Sequence, residues 1–227
     1  MHKINIAIDG PAGSGKSTVA RKAAEQLFYL YLDTGAMYRF LTFRALREGI
    51  PEHDEEALLQ LLTNIEFSLV NEGEKGVKLS VNGGPLGEGI RSQAVTEKVS
   101  AISAHEKIRK EMVTRQQQLA KEKGVVLDGR DIGTFVLPEA ELKIYLYASV
   151  DERSRRRYLE NLENHRPSDI DVIKEEITRR DHLDSTRQIA PLTQAKDAFP
   201  LDTTNLTIEE AVAHICHLAR EKEKKGQ

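Results

Sequence analysis

The chain carries a single cysteine in 227 residues. Cys216 alone excludes an intrachain disulfide and any thiolate metal cluster, and its helical surroundings read as those of a buried bystander thiol. A long apolar run is also missing, so no membrane span is expected. His2 and Lys3 lead directly into an apolar segment and leave no room for a secretory signal there; a soluble, cytoplasmic protein is expected. There is no surplus of positive charge: the formal net charge is −3 with 30% charged residues, which weighs against a nucleic-acid polymer as the main partner. Internal repeats are absent, and the charged tail at 221–225 is the one biased stretch. A chain of this length has room for one substantial core.

What is present is organised around residues 4–18. Ile4, Ile6 and Ile8 lie in a short apolar run, followed by Asp9-Gly10-Pro11-Ala12-Gly13-Ser14-Gly15-Lys16-Ser17-Thr18. Gly10, Gly15, Lys16 and Ser17 fit G-x-x-x-x-G-K-[ST], preceded by strand and followed by a helical pattern over Val19 to Leu27. Glycines let successive N–H groups turn toward a phosphate chain, and the helix N-terminus behind them adds a favourable dipole. Lys16 is expected to reach the outer phosphates, and the Ser17 hydroxyl to hold Mg²⁺ with ATP.

Beyond this loop, Phe28 to Leu32 read as a second strand ending at Asp33, broken by Thr34-Gly35, with a helix over Ala36 to Arg47. Asp54 is an N-cap for a helix through Leu62. Residues 65–90 alternate around a polar turn at Asn71 to Gly76 and read as a small antiparallel insertion. Helix is expected over 91–123, divided near His105. Val125 to Leu127 form a buried strand ending in Asp128, and Leu142 to Tyr147 another. Ser149 and Glu152 box a helix carrying Arg153, Arg155, Arg156 and Arg157; a polar break at 161–168 separates it from a helix over Val172 to about Leu183. Ala198 to Leu201 are a last strand, and Thr207 with Glu210 boxes the final helix. Apolar strands separated by helices predict an α/β sandwich with a mostly parallel sheet, its ligands at the C-terminal strand ends. Asp9, Asp33 and Asp128 each close a strand and are expected around one crevice.

Arg39, Arg130, Arg180 and Arg187 decide what that crevice holds. A hydrolytic NTPase needs few arginines, and a kinase with an uncharged acceptor needs a carboxylate to take the hydroxyl proton. An acceptor that is already a phosphate needs guanidiniums to bring two anions together. The inventory favours a nucleoside monophosphate. The 153–157 cluster also reads as a solvated helix face.

Three phrases then resemble the bacterial cytidylate kinases: residues 8–17 at the P-loop, Leu32-Asp33-Thr34-Gly35-Ala36-Met37-Tyr38-Arg39, and Asp128-Gly129-Arg130-Asp131-Ile132-Gly133-Thr134. Arg180-Asp181 through Asp184 and Arg187, then Ala190-Pro191-Leu192, extend the resemblance over essentially the whole chain. It implies a P-loop NTPase-type fold with a five-stranded parallel sheet, the antiparallel insertion and a helical lid. It divides the chain into core (1–33, 120–150, 188–227), monophosphate-binding region (34–119) and lid (151–187). It implies transfer of the ATP γ-phosphate to CMP or dCMP with Mg²⁺, by a monomer. By resemblance, Thr34, Arg39 and Arg130 hold the acceptor phosphate, and Ser100, Arg109 and Asp131 read the cytosine. Arg180 and Asp184 touch the sugar, Arg187 lies near the phosphates, Arg157 faces ATP from the lid, and Asp33 and Asp128 organise Mg²⁺ through water. Two rivals stand beside this: a kinase for UMP, AMP or a small hydroxylated metabolite, and a P-loop regulatory or RNA-associated protein.

Overall fold

In the computed structural model, residues 2–71, 77–165 and 168–225 are described. The chain runs β1 (Ile6–Asp9), α1 (Lys16–Leu27), β2 (Leu30–Asp33), α2 (Thr34–Glu48) and α3 (Glu55–Thr63). It continues with β3 (Phe67–Asn71), β4 (Val77–Val81), β5 (Gly84–Pro85), α4 (Gln93–Ile102) and α5 (Glu106–Leu119). It closes with β6 (Val125–Gly129), β7 (Leu142–Tyr147), α6 (Val150–Glu163), α7 (Ile170–Thr186), β8 (Phe199–Asp202) and α8 (Ile208–Lys225). The main sheet has five strands in the order β2-β6-β1-β7-β8, every pairing parallel.

Alternation along β1 builds the layers, because successive side chains point to opposite faces. Ile6 and Ile8 join Val19, Ala23, Val126, Leu146 and Ile215 under α1 and α8. Ala7 joins Leu32, Met37, Leu41, Leu127 and Ile132 on the other face, under α2 and α5. A parallel sheet covered on both sides needs such near-continuous apolar strands, and all four residues of β1 are buried. The insertion is an antiparallel sheet in the order β3-β4-β5, with Phe67 and Val81 turned into the second of these cores. The turn expected at Asn71 to Gly76 lies, from residue 72 to 76, outside the described residues, as do Arg166 and Pro167 of the polar break.

Several boundaries differ from the sequence expectation. Phe28 does not open the second strand: at φ 56 and 89% exposed, it ends α1, its N–H capping helix carbonyls, so β2 starts at Leu30. Thr34-Gly35 do not break the chain. Asp33 Oδ1 accepts from the Ala36 N–H at 2.9 Å, so α2 begins where β2 stops. Asp169 caps α7 earlier than expected, and the helix runs past Leu183 to Thr186, leaving Arg187 as its C-cap. Residues 132–136, between β6 and β7, form one π-helical turn.

Candidate active site

Residues 10–15 join β1 to α1 across the C-terminal edge of the sheet. The close approach is set at Gly10, where a Cβ would stand 1.9 Å from the Leu146 carbonyl oxygen of the neighbouring strand. Gly15, at φ 86, is the N-cap of α1 and offers no side-chain cap; the first turn holds no acidic residue. The first amides of α1 therefore face the crevice with no side-chain partner from this cap, which is the arrangement that receives an anion. Lys16 folds back, its Nζ donating to the Pro11 carbonyl at 3.1 Å, and is nearly buried. Burial first, and then repulsion from Arg130, lowers its pKa to about 7.

The Ser17 hydroxyl donates to Asp128 Oδ2 at 2.7 Å, and Tyr31 donates to Oδ1 at 2.8 Å. Burial and the nearby Asp33 push the Asp128 carboxyl up to about 6. Asp33 keeps Oδ2 toward the crevice, 3.4 Å from Arg91. Asp9 departs from expectation: it does not line the crevice but turns beneath it, accepting from the Ile132 and Gly133 N–H groups at 2.7 and 2.8 Å. It anchors the π-helical turn and thereby places Arg130 and Asp131.

Two voids open from this centre. One, about 720 Å³, is lined by residues 12–19, Asp33, Asp128, Arg157 and the start of α8. The other, about 70 Å³, is lined by Thr34, Ser100, Arg109, Asp131, Asp184 and Arg187 among others. Arg39, Arg130 and Arg180 line both and stand at the joint. Among the described residues, neither Arg39 nor Arg180 has an ion-pair partner, and Arg180 Nε is buried without any hydrogen bond. Burial, with other guanidiniums nearby, depresses Arg180 to about 9; burial foremost depresses Arg39 to about 10. Cations crowded until they resist their own charge mark a place that lacks an anion.

The smaller void is filled by its own side chains. Arg109 Nη2 donates to Asp131 Oδ2 at 2.5 Å, and Arg187 Nη2 lies 3.3 Å from Asp131 Oδ1. Arg109 is 1% exposed and stacks over the Tyr38 ring. Arg130 Nε donates to Asp184 Oδ2 at 2.7 Å. Burial opposes the Asp184 charge, but Arg130 and Arg180 hold its pKa below the usual carboxylate range. Thr34 donates its hydroxyl to the Asp128 carbonyl at 2.7 Å.

A family model for cytidylate kinases matches residues 6–221. The chain belongs to the cytidylate kinase family. Curated members include a cytidylate kinase of Geobacillus kaustophilus, 54% identical over 97% of this chain and 98% of that protein. One of Enterococcus faecalis is 53% identical over 98% of each. Among solved structures, a shikimate kinase of Bacteroides thetaiotaomicron aligns with a TM-score of 0.49 at 14% identity, covering 96% of this chain and 99% of that one. The family is one of P-loop phosphotransferases, so the chain is a nucleotide-binding kinase.

All nine residues that the family resemblance assigned to the acceptor line the smaller void, and all P-loop residues from Ala12 to Thr18 line the larger. Arg187, expected near the phosphates, is among these nine. It lies against Asp131, with Nε on the Ala190 carbonyl, and lines the smaller void but not the larger, because α7 ends one residue before it. The arginine run on α6 is not one solvated face. Arg155 alone is mostly exposed, paired with Glu152. Arg156 donates to the Ser14 and Thr203 carbonyls, bracing the P-loop against the end of β8. Arg157 lines the larger void, as do Arg155 and Arg156.

Sequence reasoning missed Arg91 and Tyr31, and named Arg153 and Asp181 without giving either a contact. Tyr31 had a signal, a phenol two residues before the strand-ending Asp33. Arg91 ends the short turn between the insertion and α4 and had none.

Proposed function

We propose that this kinase transfers the γ-phosphate of ATP to CMP or dCMP, releasing ADP and CDP or dCDP. The observation that carries the reading is the joint. Two half-buried guanidiniums without carboxylate partners among the described residues, Arg39 and Arg180, and a third, Arg130, lie between the P-loop void and the smaller one. Phosphoryl transfer between two anions needs little covalent help and much positive charge at the point where they meet.

In this reading the amides of residues 10–18 cradle the ATP phosphates, Lys16 follows charge onto the β–γ bridge, and Arg157 faces ATP from the segment 151–187, which acts as a lid. The hydroxyl–carboxylate pair of Ser17 and Asp128, with Asp33 at hand, suits Mg²⁺, which keeps most of its waters and takes few protein ligands beside the phosphates. No cluster of three metal-ligating side chains occurs among the described residues, in keeping with an ion that arrives with its nucleotide. When bound, it supplies charge neutralisation at the phosphates. Residues 34–119 form the acceptor region: Thr34, Arg39 and Arg130 take the CMP phosphate, Arg180 and Asp184 the sugar. Ser100, Arg109 and Asp131 take the base, with Arg187 joining that end. Cytosine presents an amine where uracil presents a carbonyl, so a carboxylate accepts from the first and repels the second. The void of about 70 Å³ is too small for a nucleotide, so the acceptor enters by exchanging contacts with the arginine–carboxylate pairs that fill it.

The protein acts as a cytoplasmic monomer in this proposal; no described helix is long and apolar enough to cross a membrane. The test is ADP release with CMP, dCMP, UMP and AMP at equal concentration. Release is expected to be slow without acceptor, steeply raised by CMP and dCMP, and weakly by the others. Acceptor-independent hydrolysis, or a preference for UMP or AMP, would reject it.

A further inference from the structure

Asp181 on α7 has no role in the assignments above, yet both its carboxylate oxygens are spent on the P-loop side. Oδ1 accepts from the Ala12 N–H at 3.2 Å, and Oδ2 accepts from Arg153 Nη1 at 2.6 Å. The same Nη1 donates to the Ala12 carbonyl at 3.0 Å, while Arg153 Nε donates to the Ala148 carbonyl at 2.9 Å. One ion pair, with a member from each of α6 and α7, thus grips Ala12 through both its N–H and its C=O. Arg153 is 4% exposed, so water competes little for these bonds. Beside the clip, a Cβ on Gly13 would stand 3.4 Å from Arg153, in ordinary van der Waals contact.

The same helix carries the groups of the other void. Arg180 precedes Asp181 directly, and Asp184 follows one turn later, holding Arg130 at 2.7 Å. Within an intact helix these three residues move together. α7 therefore touches the phosphate-binding loop at one position and the acceptor void at its neighbours.

We infer that Asp181 is a positioning residue that couples occupancy of the acceptor void to the shape of the phosphate-binding loop. This rests on the reading of the crevice as a donor and acceptor site. An acceptor engaging Arg180 and Asp184 restrains α7. The restrained helix holds the carboxylate on the Ala12 amide, and the loop is set for the donor before the donor arrives. Donor and acceptor then bind cooperatively, by the same factor in either direction. Without the carboxylate the two voids fill independently.

The experiment measures the dissociation constant of CMP, with and without Mg²⁺ and a β,γ-imido analogue of ATP, for the unsubstituted chain and for Asp181→Ala. For the unsubstituted chain the analogue is expected to tighten CMP about tenfold. For Asp181→Ala the factor falls to about one, with CMP alone binding nearly as before. A merely structural role would weaken both ligands and leave their ratio alone. Because Asp181→Ala strands a buried guanidinium, the double variant Asp181→Ala/Arg153→Met is measured beside it and is expected to lose the coupling too. In the unsubstituted chain, hydrogen exchange at the Ala12 amide is expected to slow on CMP alone. Folded variants that keep the tenfold factor, or an Ala12 amide indifferent to CMP, would overturn the role of Asp181 while leaving the kinase reading intact. An unsubstituted chain whose ADP release ignores CMP would overturn that reading, and the coupling with it.

Discussion

On one side of Arg39, Arg130 and Arg180 a void of about 720 Å³ is faced by loop amides and one lysine; on the other, about 70 Å³ remain between interlocked arginines and carboxylates. In the proposed reading the donor half is made of backbone and stands ready, because a glycine-rich turn ahead of a helix has its shape without any ligand. The acceptor half is made of long side chains from α2, α4, α5, α7 and the loop after β6, which pair with one another until something replaces them. A backbone site binds a class of ligand, the polyphosphate. A side-chain site can tell one base from another, at the cost of breaking its own contacts first.

That contrast can be broken most sharply at Lys16. If it serves the moving charge rather than ground-state binding, Lys16→Ala lowers kcat at saturating ATP by about 10²–10³-fold and changes ATP affinity much less. Steady-state kinetics at saturating CMP check this, and a kcat equal to the parent's would remove Lys16 from the reaction.

The next effect falls on the acceptor half. Loss of a charge-assisted hydrogen bond costs about 10- to 100-fold in kcat/KM, so Asp131→Ala is expected to lose that much with CMP, little with UMP, and to flatten the preference between them. The substitution also leaves Arg109 and Arg187, both buried, without their shared carboxylate, so a lower melting temperature accompanies it. Only the CMP-to-UMP ratio separates base reading from this loss of stability. An unchanged ratio would reduce Asp131 to a spacer between two arginines.

A smaller effect distinguishes the halves by their protons. In the empty site burial and the neighbouring Arg130 hold the Lys16 pKa far below its ordinary 10.5, at about 7, so at pH 8 it is far more often neutral than a free lysine. A polyphosphate favours the charged form and raises that pKa, so ATP binding at pH 8 takes up a fraction of a proton, and ATP affinity falls as pH rises above about 7. Arg180, near 9, and Arg39, near 10, are already charged at pH 8, so CMP binding takes up much less. Calorimetry in two buffers of different ionisation enthalpy reads the proton number for each ligand, and equal uptake for both would contradict the assignment of Lys16 to the donor half.

The smallest effect concerns Arg155, which lines the larger void but whose side chain is 59% exposed and is held by Glu152. Arg155→Ala is expected to leave kcat and both KM values unchanged, whereas Arg157→Ala lowers kcat. Parallel losses in the two would mean that the arginine run acts as one patch rather than as separately placed side chains.

Much of the fold was legible because its signals are local. The apolar run of β1 and the glycines and Lys16 after it are contiguous, so periodicity and turn chemistry locate the donor half without further help. The insertion followed from alternation, and the division expected near His105 falls between α4 and α5. Boundaries failed where a cap outweighed a pattern: Phe28 belongs to an alternating apolar stretch, but the carbonyls ending α1 needed its N–H more than a strand did. The acceptor half was not legible from spacing. Ser100 and Arg109 are on different helices, Asp131 is on a loop and Arg187 at a helix end, and no periodicity ties those positions together. Their grouping came from resemblance.

By itself, then, the sequence determined the strand–loop–helix unit, the open helix N-terminus behind it, the order of α and β elements and the membership of a kinase family, since each depends on neighbours in the chain. Tertiary structure alone decided which charges meet. Asp9 was drawn under the loop to hold two amides, Asp128 to Ser17, Asp131 to Arg109 and Arg187, and Asp181 to Ala12. An ion pair acts over a few ångströms, and residues far apart in sequence come within that range only after apolar layers have fixed the helices on the sheet.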